Sequence, residues 1–131
     1  MIMSSERQRL IKRCDALFSL IRRHEESIDG YCRCISCNTI KQIKEMDNGH
    51  YIGRGCMFLR YDPRNAWPQC RKCNSFQSGL SIHNYRENLI KKLGLEVVEE
   101  LETLRHRPFK YSIEELKDLR KQFNKRLKEL E

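Results

Sequence analysis

Two Cys-x-x-Cys pairs, Cys34/Cys37 in CISCN and Cys70/Cys73 in CRKCN, frame the segment EMDNGHYIGRG and its single histidine, His50. A Cys-x-x-Cys turn holds two thiolates at the separation of two corners of a tetrahedron. Two such turns complete a four-cysteine zinc site. Thiolates this close repel one another unless a cation lies between them. In a reducing compartment the spacing reads as metal binding rather than as a disulfide framework. Four protein ligands leave no open position, so the expected Zn²⁺ is structural. Three cysteines remain. Cys14 falls on an apolar helical face, as a small core residue. Cys32 is an alternative ligand, because CRCISC holds three cysteines, but its spacing to Cys37 is less regular and Cys34 is preferred. Cys56 has no evident partner in the sequence.

Residues 38–69 lie inside the loop that zinc would close. Closing a long loop costs entropy, and zinc would fix both its ends and whatever it displays. Asp47, His50 and Asn65 stand in this insert, and Asn74 directly follows the last cysteine. These residue types fit a one-metal phosphodiesterase. A neutral imidazole takes a proton from water near pH 7. A hard cation such as Mg²⁺ or Mn²⁺ takes oxygen ligands of the Asp and Asn type. Such a cation shields a scissile phosphate and stabilises the departing oxygen. Arg54, Arg60, Arg64, Arg71 and Lys72 are placed to hold a phosphate backbone. Taken singly these residues are unspecific. A lone histidine in a polar loop is usually exposed, and asparagines in RNAW and CNSF are usual turn formers.

The elements that must position these residues are uneven. SSERQ offers a capping box, Ser5 with Gln8, at the start of a helix over 5–26. Leu10, Cys14, Leu17, Phe18 and Ile21 share its apolar face; Arg7, Arg9, Arg13, Arg22 and Arg23 mostly lie off it. From 31 to about 74 the periodicity is poor and the segment needs a staple. Short strands are expected at YCRCI and MDNGHYI. RYDPRNAWPQC reads as a loop, because Pro63 and Pro68 disfavour regular structure. A helix is expected over 81–93 with Ile82, Tyr85, Leu89 and Leu93 on one face and Gly94 as its stop. A short helix follows over 95–104. A last helix begins at Ser112 with a second capping box to Glu115. Its stripe of Leu116, Leu119, Phe123, Leu127 and Leu130 fits either packing on the rest of the chain or a dimer coiled coil, though it spans under three heptads.

The 131 residues suit one domain, and 26 Lys+Arg against 18 Asp+Glu give a net charge of +8. That excess favours a polyanionic partner, nucleic acid above all. No run of about 20 apolar residues predicts a membrane span. The N-terminal stretch lacks a signal-peptide pattern, so a cytosolic protein is expected.

The order of the motifs is more specific than any one of them. Cys-x-x-Cys, Asp-x-Gly-His, Asn and Cys-x-x-Cys-Asn resemble, in that order, the HNH endonucleases of the His-metal (ββα-metal) finger group. The resemblance implies an α+β fold: a small zinc-stapled ββα-metal finger at 30–94, a basic N-terminal helix at 1–29 and a helical extension at 95–131. It implies His50 as general base, Asn65 as the residue that buttresses the finger's loop, and Asn74 as metal ligand. Many HNH proteins place Asp immediately before the histidine, where this chain has Gly49. DNGH is closer to the Asp-Arg-Gly-His stretch of non-specific nucleases in the same superfamily, which bind the metal mainly through one Asn. Asp47 is then a second ligand or an outer-shell residue.

A closer resemblance covers most of the chain. GYCRCISCN, MDNGHYIGRG, LRYDPRNAWPQCRKCN and YRENLIKKLG are similar to the phage NinG (Rap) recombination proteins. This implies a phage-encoded nuclease acting on branched DNA, such as Holliday junctions and D-loops, in the cytoplasm of a bacterial host. Two symmetric incisions at a junction suggest a homodimer. The alternative is a zinc-stabilised DNA-binding module without catalysis. Several residues are open at this stage. His83 could face the metal or simply begin a helix, and His24 and His106 sit in charged stretches. Tyr51 and Trp67 could stack on unpaired bases, with packing beside the zinc favoured for Trp67.

Overall fold

The computed structural model describes residues 4–76 and 79–131. The architecture is α+β, with five helices and two small antiparallel hairpins. Residues 1–3 of the expected N-terminal segment lie outside the described residues.

Helix α1, Glu6–Glu25, begins at the expected capping box: Ser5 accepts from the Gln8 N–H and Gln8 reaches back to the Ser5 N–H. Strands β1, Tyr31–Arg33, and β2, Ile40–Gln42, pair antiparallel around the CISCN turn. Asn38 adopts a left-handed φ of 66° there, a conformation Asn tolerates better than most residues. Strand β3, Met46–His50, pairs with β4, Ala66–Cys70, in register from Met46↔Cys70 to His50↔Ala66.

The loop expected over 60–70 is therefore a turn followed by a strand. Pro63 opens a single 3₁₀ turn, Pro63–Asn65, whose cap Asp62 accepts from the Arg64 N–H. Pro68 sits within β4 opposite Asn48. In a two-stranded ribbon each strand is an edge, so a residue without an N–H is tolerated. The Pro68 carbonyl still accepts the Ile35 N–H at 2.9 Å and ties the first hairpin to the second.

A short helix α2, Arg71–Ser75, starts directly at Cys70 and was not foreseen. Helices α3, Leu80–Leu93, and α4, Leu95–Thr103, are joined by Gly94, whose φ of 89° favours glycine. Ile82 was expected on the buried face of α3 but is exposed, while Tyr85 and Leu89 are fully buried. Helix α5, Ile113–Leu130, starts at the Ser112/Glu115 capping box.

The core is spread over the three expected segments. Tyr85 and Leu89 of α3 and Val98 and Leu101 of α4 pack with Ile35, Ile52, Leu59 and Trp67. Cys14 and Phe18 of α1 pack with Tyr61 and Ala66, flanked by Leu119 and Phe123 of α5. The stripe on α5 is thus occupied by α1 within one chain: Leu116 is fully buried and Phe123 stacks on Phe18 at 5.6 Å. Arg22, expected off the apolar face, is buried. It donates to the Ala66 carbonyl at 2.9 Å, pairs with Glu25 and Glu26, and lies 4.6 Å over the Trp67 ring.

Gly49 is required by close approach. It lies within β3, and a Cβ there would come 2.0 Å from the Gln69 amide oxygen and 2.8 Å from its Cβ. Gly53 has open space around it. Gly49→Ala should therefore destabilise the fold by about 1–3 kcal/mol, and Gly53→Ala should stay within roughly 0.5 kcal/mol of wild type. Urea unfolding of both variants checks this.

Candidate functional site

The hairpins bring the four knuckle cysteines together. The sulfurs of Cys34, Cys37, Cys70 and Cys73 all lie within 4.8 Å of one another. Four sulfurs held about 2.3 Å from one zinc sit about 3.8 Å apart, and Cys37 and Cys70 are separated by 3.8 Å. Burial pushes the Cys34 thiol above its ordinary value, partly offset by the backbone N–H groups its sulfur accepts from Cys37 at 3.5 Å and Cys70 at 3.3 Å. Burial and the neighbouring Cys70 push the Cys73 thiol up to about 12, so adjacent sulfurs ionise together only around a cation. The donor set thus fits one zinc ion. Cys32 stands outside this group. Its sulfur contacts the Arg23 carbonyl at 3.3 Å and packs among Cys34, Met46 and Cys70. Cys14 is core, its thiol facing the Leu116 carbonyl at 3.6 Å, and Cys56 faces the Leu104 carbonyl at 3.5 Å.

A cleft of about 730 Å³ opens beside this cluster, between α1 and the β3–α2 region. It brings His50, Asp47, Asn74, Arg54 and Arg71 onto one wall. The His50 Nε2 lies 2.8 Å from the Arg60 carbonyl oxygen. A carbonyl only accepts, so Nε2 carries the proton and the neutral ring keeps its lone pair on Nδ1. Burial lowers the His50 pKa below its ordinary value. The Arg60 carbonyl works against this and the Arg54 charge adds to it. Burial thus favours the neutral ring.

Across the strand pair, the Asn74 Nδ2 donates to Asp47 Oδ2 at 3.1 Å, and Arg71 Nε lies 3.6 Å from Asp47 Oδ1. That bond uses the amide nitrogen, so Asn74 offers its oxygen. A carboxylate and an amide oxygen together suit a hard divalent cation. Asn48 borders the same cleft. Its side-chain oxygen is buried with no hydrogen-bond partner among the described residues.

Asn65 does not reach the cleft. It is fully buried, and its amide clamps the loop that follows His50. It accepts the Ile52 N–H at 2.8 Å and donates to the carbonyls of Ile52 at 2.9 Å and Leu59 at 3.3 Å.

The five basic residues divide. Arg54 and Arg71 border the cleft. Arg60 is committed to Asp15, and Arg64 to Asp62 at 2.9 Å and Glu100 at 3.5 Å. Lys72 borders a separate groove beside the cysteines. His83 is exposed in the first turn of α3, outside the cleft. Tyr51 packs on Tyr85 at 5.4 Å and bonds Glu102, while Trp67 is buried, so both rings are used within the fold.

The opposite wall comes from α1, through Asp15, Phe18, Ser19 and Arg23, and was missed in the sequence. One signal was present. Between residues 7 and 24 Asp15 is the only carboxylate, and it stands beside the apolar stripe of a helix otherwise rich in arginine.

Purified without chelator, the protein should carry one zinc per chain. Cys34→Ser or Cys70→Ser should lose the metal and the cooperative unfolding transition together. Elemental analysis and circular dichroism read both.

The family model described as "Bacteriophage Lambda NinG protein" matches residues 4–131. "Protein ninG" of Escherichia phage lambda is 32% identical over 118 residues, covering 84% of this chain and 56% of that protein. "Protein ninG" of Enterobacteria phage H19B is 33% identical over 118 residues, covering 84% of this chain and 57% of that protein. The counterpart in Salmonella phage P22 is 31% identical over the same length, with the same two shares. The chain thus spans little more than half the length of these curated relatives. No solved structure matches it. The family match over residues 4–131 and these relatives place the chain in the NinG family.

Proposed function

We propose that this chain is a metal-dependent endonuclease of the HNH type. It would hydrolyse phosphodiester bonds in branched DNA, in the cytoplasm of a bacterium carrying the phage or prophage. The observation that carries the reading is His50: its Nε2 proton is fixed on the Arg60 carbonyl, its pKa is lowered by burial, and it shares one cleft with the Asp47–Asn74 pair.

In this reading Nδ1 of His50 accepts a proton from the attacking water. Asn74 and Asp47 would hold Mg²⁺ or Mn²⁺, which would neutralise charge on the phosphate and on the departing oxygen. Arg54 and Arg71, exposed at the rim, position the DNA backbone. Asn65 holds the loop that follows His50. The choice of branched DNA comes from the likeness to the phage recombination proteins, and two incisions across a junction would call for two copies of the chain. Mass measurement in solution, with and without a four-way junction, reads the copy number.

A labelled four-way junction and a matched linear duplex, each with Mg²⁺ or Mn²⁺, test the reading. Wild type should nick, and His50→Ala should lose about 10²–10⁴-fold in rate while DNA binding survives. Equal cutting by the two proteins overturns the role of His50. Binding by both without cutting points to a zinc-stabilised DNA-binding module instead.

The rate should also depend on pH in a defined direction. The base works when neutral, and its folded pKa lies below the ordinary value of 6.5. The rate should therefore be flat through neutrality and fall only as the pH drops below about 6.5. An acid limb centred above 6.5 would contradict a buried neutral His50.

A further inference from the structure

We propose that Asp15, on the N-terminal helix, is a positioning residue for His50 that acts through Arg60. The chain of contacts is continuous. Asp15 grips the Arg60 guanidinium with both carboxylate oxygens, Oδ1 to Nε at 2.9 Å and Oδ2 to Nη2 at 2.6 Å. This two-pronged pairing fixes orientation as well as distance. The Tyr61 hydroxyl donates to the same Asp15 Oδ1 at 2.9 Å, so two consecutive side chains of one loop are tied to one carboxylate. Arg60 Nη1 also donates to the Arg54 carbonyl at 2.8 Å. The backbone carbonyl of Arg60 then receives the His50 Nε2 proton at 2.8 Å.

Arg60 and Tyr61 belong to a connection between β3 and β4 with no strand of its own. Asn65 holds the neighbouring Leu59 carbonyl, and the two residues that follow need a side-chain anchor of their own to fix a carbonyl to the tolerance that a base requires. Asp15 supplies that anchor from a rigid helix. Its carboxylate lies in the same cleft as His50. The charged groups acting on the imidazole are Asp15, Arg54 and Arg60: Asp15 favours its protonated form and the two arginines oppose it. Phe18, one turn on from Asp15, backs the ring itself, with centroids 6.1 Å apart. Asp15 therefore sets which nitrogen of His50 carries the proton, and where the ring stands, by acting through Arg60.

The activity arm of the test rests on the nuclease reading; the spectroscopic arm does not. Imidazole ¹⁵N shifts of the full chain should show His50 protonated on Nε2 in wild type. Asp15→Asn should give a mixture of tautomers, and Asp15→Glu should restore most of the wild-type signal. In cleavage of the junction, Asp15→Asn should lower kcat by roughly 10- to 100-fold with KM little changed. Its acid limb should move to lower pH, because a carboxylate that favours the imidazolium has gone. A loss of stability alone would move neither the tautomer nor the limb. Should Asp15→Asn fail to fold, Arg60→Lys breaks the two-pronged contact from its other side and should give the same tautomer mixture. A wild-type tautomer in a folded Asp15→Asn or Arg60→Lys overturns the inference. If wild type cuts no DNA yet the tautomer shifts, the nuclease reading falls and the positioning role stands.

Discussion

The four thiols at the foot of the β3–β4 ribbon are the constraint on which the rest depends. Strands of three and five residues in two-stranded sheets do not hold themselves together in water. Here Cys34 and Cys37 come from the first hairpin, Cys70 ends β4 and Cys73 lies on α2. Closing that set ties both hairpins and the short helix into one unit. It also fixes where Asn74 stands, one residue beyond the last thiol, against Asp47 of β3. A helix of five residues has little stability of its own, so Asn74 owes its place to the cysteine before it.

The far end of the ribbon is held by different means. His50 pairs with Ala66, four rungs from the Met46↔Cys70 pair. At that end Asn65 satisfies the loop backbone from inside, the Tyr85 hydroxyl donates to the Gly49 carbonyl at 2.7 Å, and α1 closes the other wall. Arg22 and Asp15, two turns apart on one helix, reach β4 and the loop before it. A charge buried with several partners costs little once every partner is met, and loses much when one is removed. The basic helix is therefore a working wall of the cleft as well as a charged surface.

Much of this was legible in the sequence. The cysteine pairs declared themselves by spacing, and both capping boxes by residue type. The Asp-x-Gly-His and Cys-Asn order pointed to the residues that the cleft brings together. What could not be read was tertiary. Pro68 looked like a strand breaker because a sequence does not show that the ribbon has only edges. Arg60 looked like a phosphate ligand because its partner is remote: Asp15 lies 45 residues away. Arg64 pairs mainly with Asp62, two residues before it, but a sequence does not show that the two side chains turn toward each other across Pro63. Asn65 drew attention through family likeness, whereas the contacts it makes, with the Ile52 N–H and the Ile52 and Leu59 carbonyls, are ones that no pattern reveals. Gly49 stood out in the sequence only as a departure from the usual Asp, whereas its lack of a side chain makes room for Gln69.

The seating of α1 against α5 has a consequence for how the protein is made. Cys14 meets Leu116 across 102 residues, and Phe18, which backs His50, is itself backed by Phe123. A chain leaving the ribosome presents α1 well before α5. The cysteine unit can close while synthesis continues, but the helix that completes the cleft cannot settle until its partner, about 100 residues downstream, has emerged. Assembly of the cleft thereby waits on a remote segment rather than on its own neighbours.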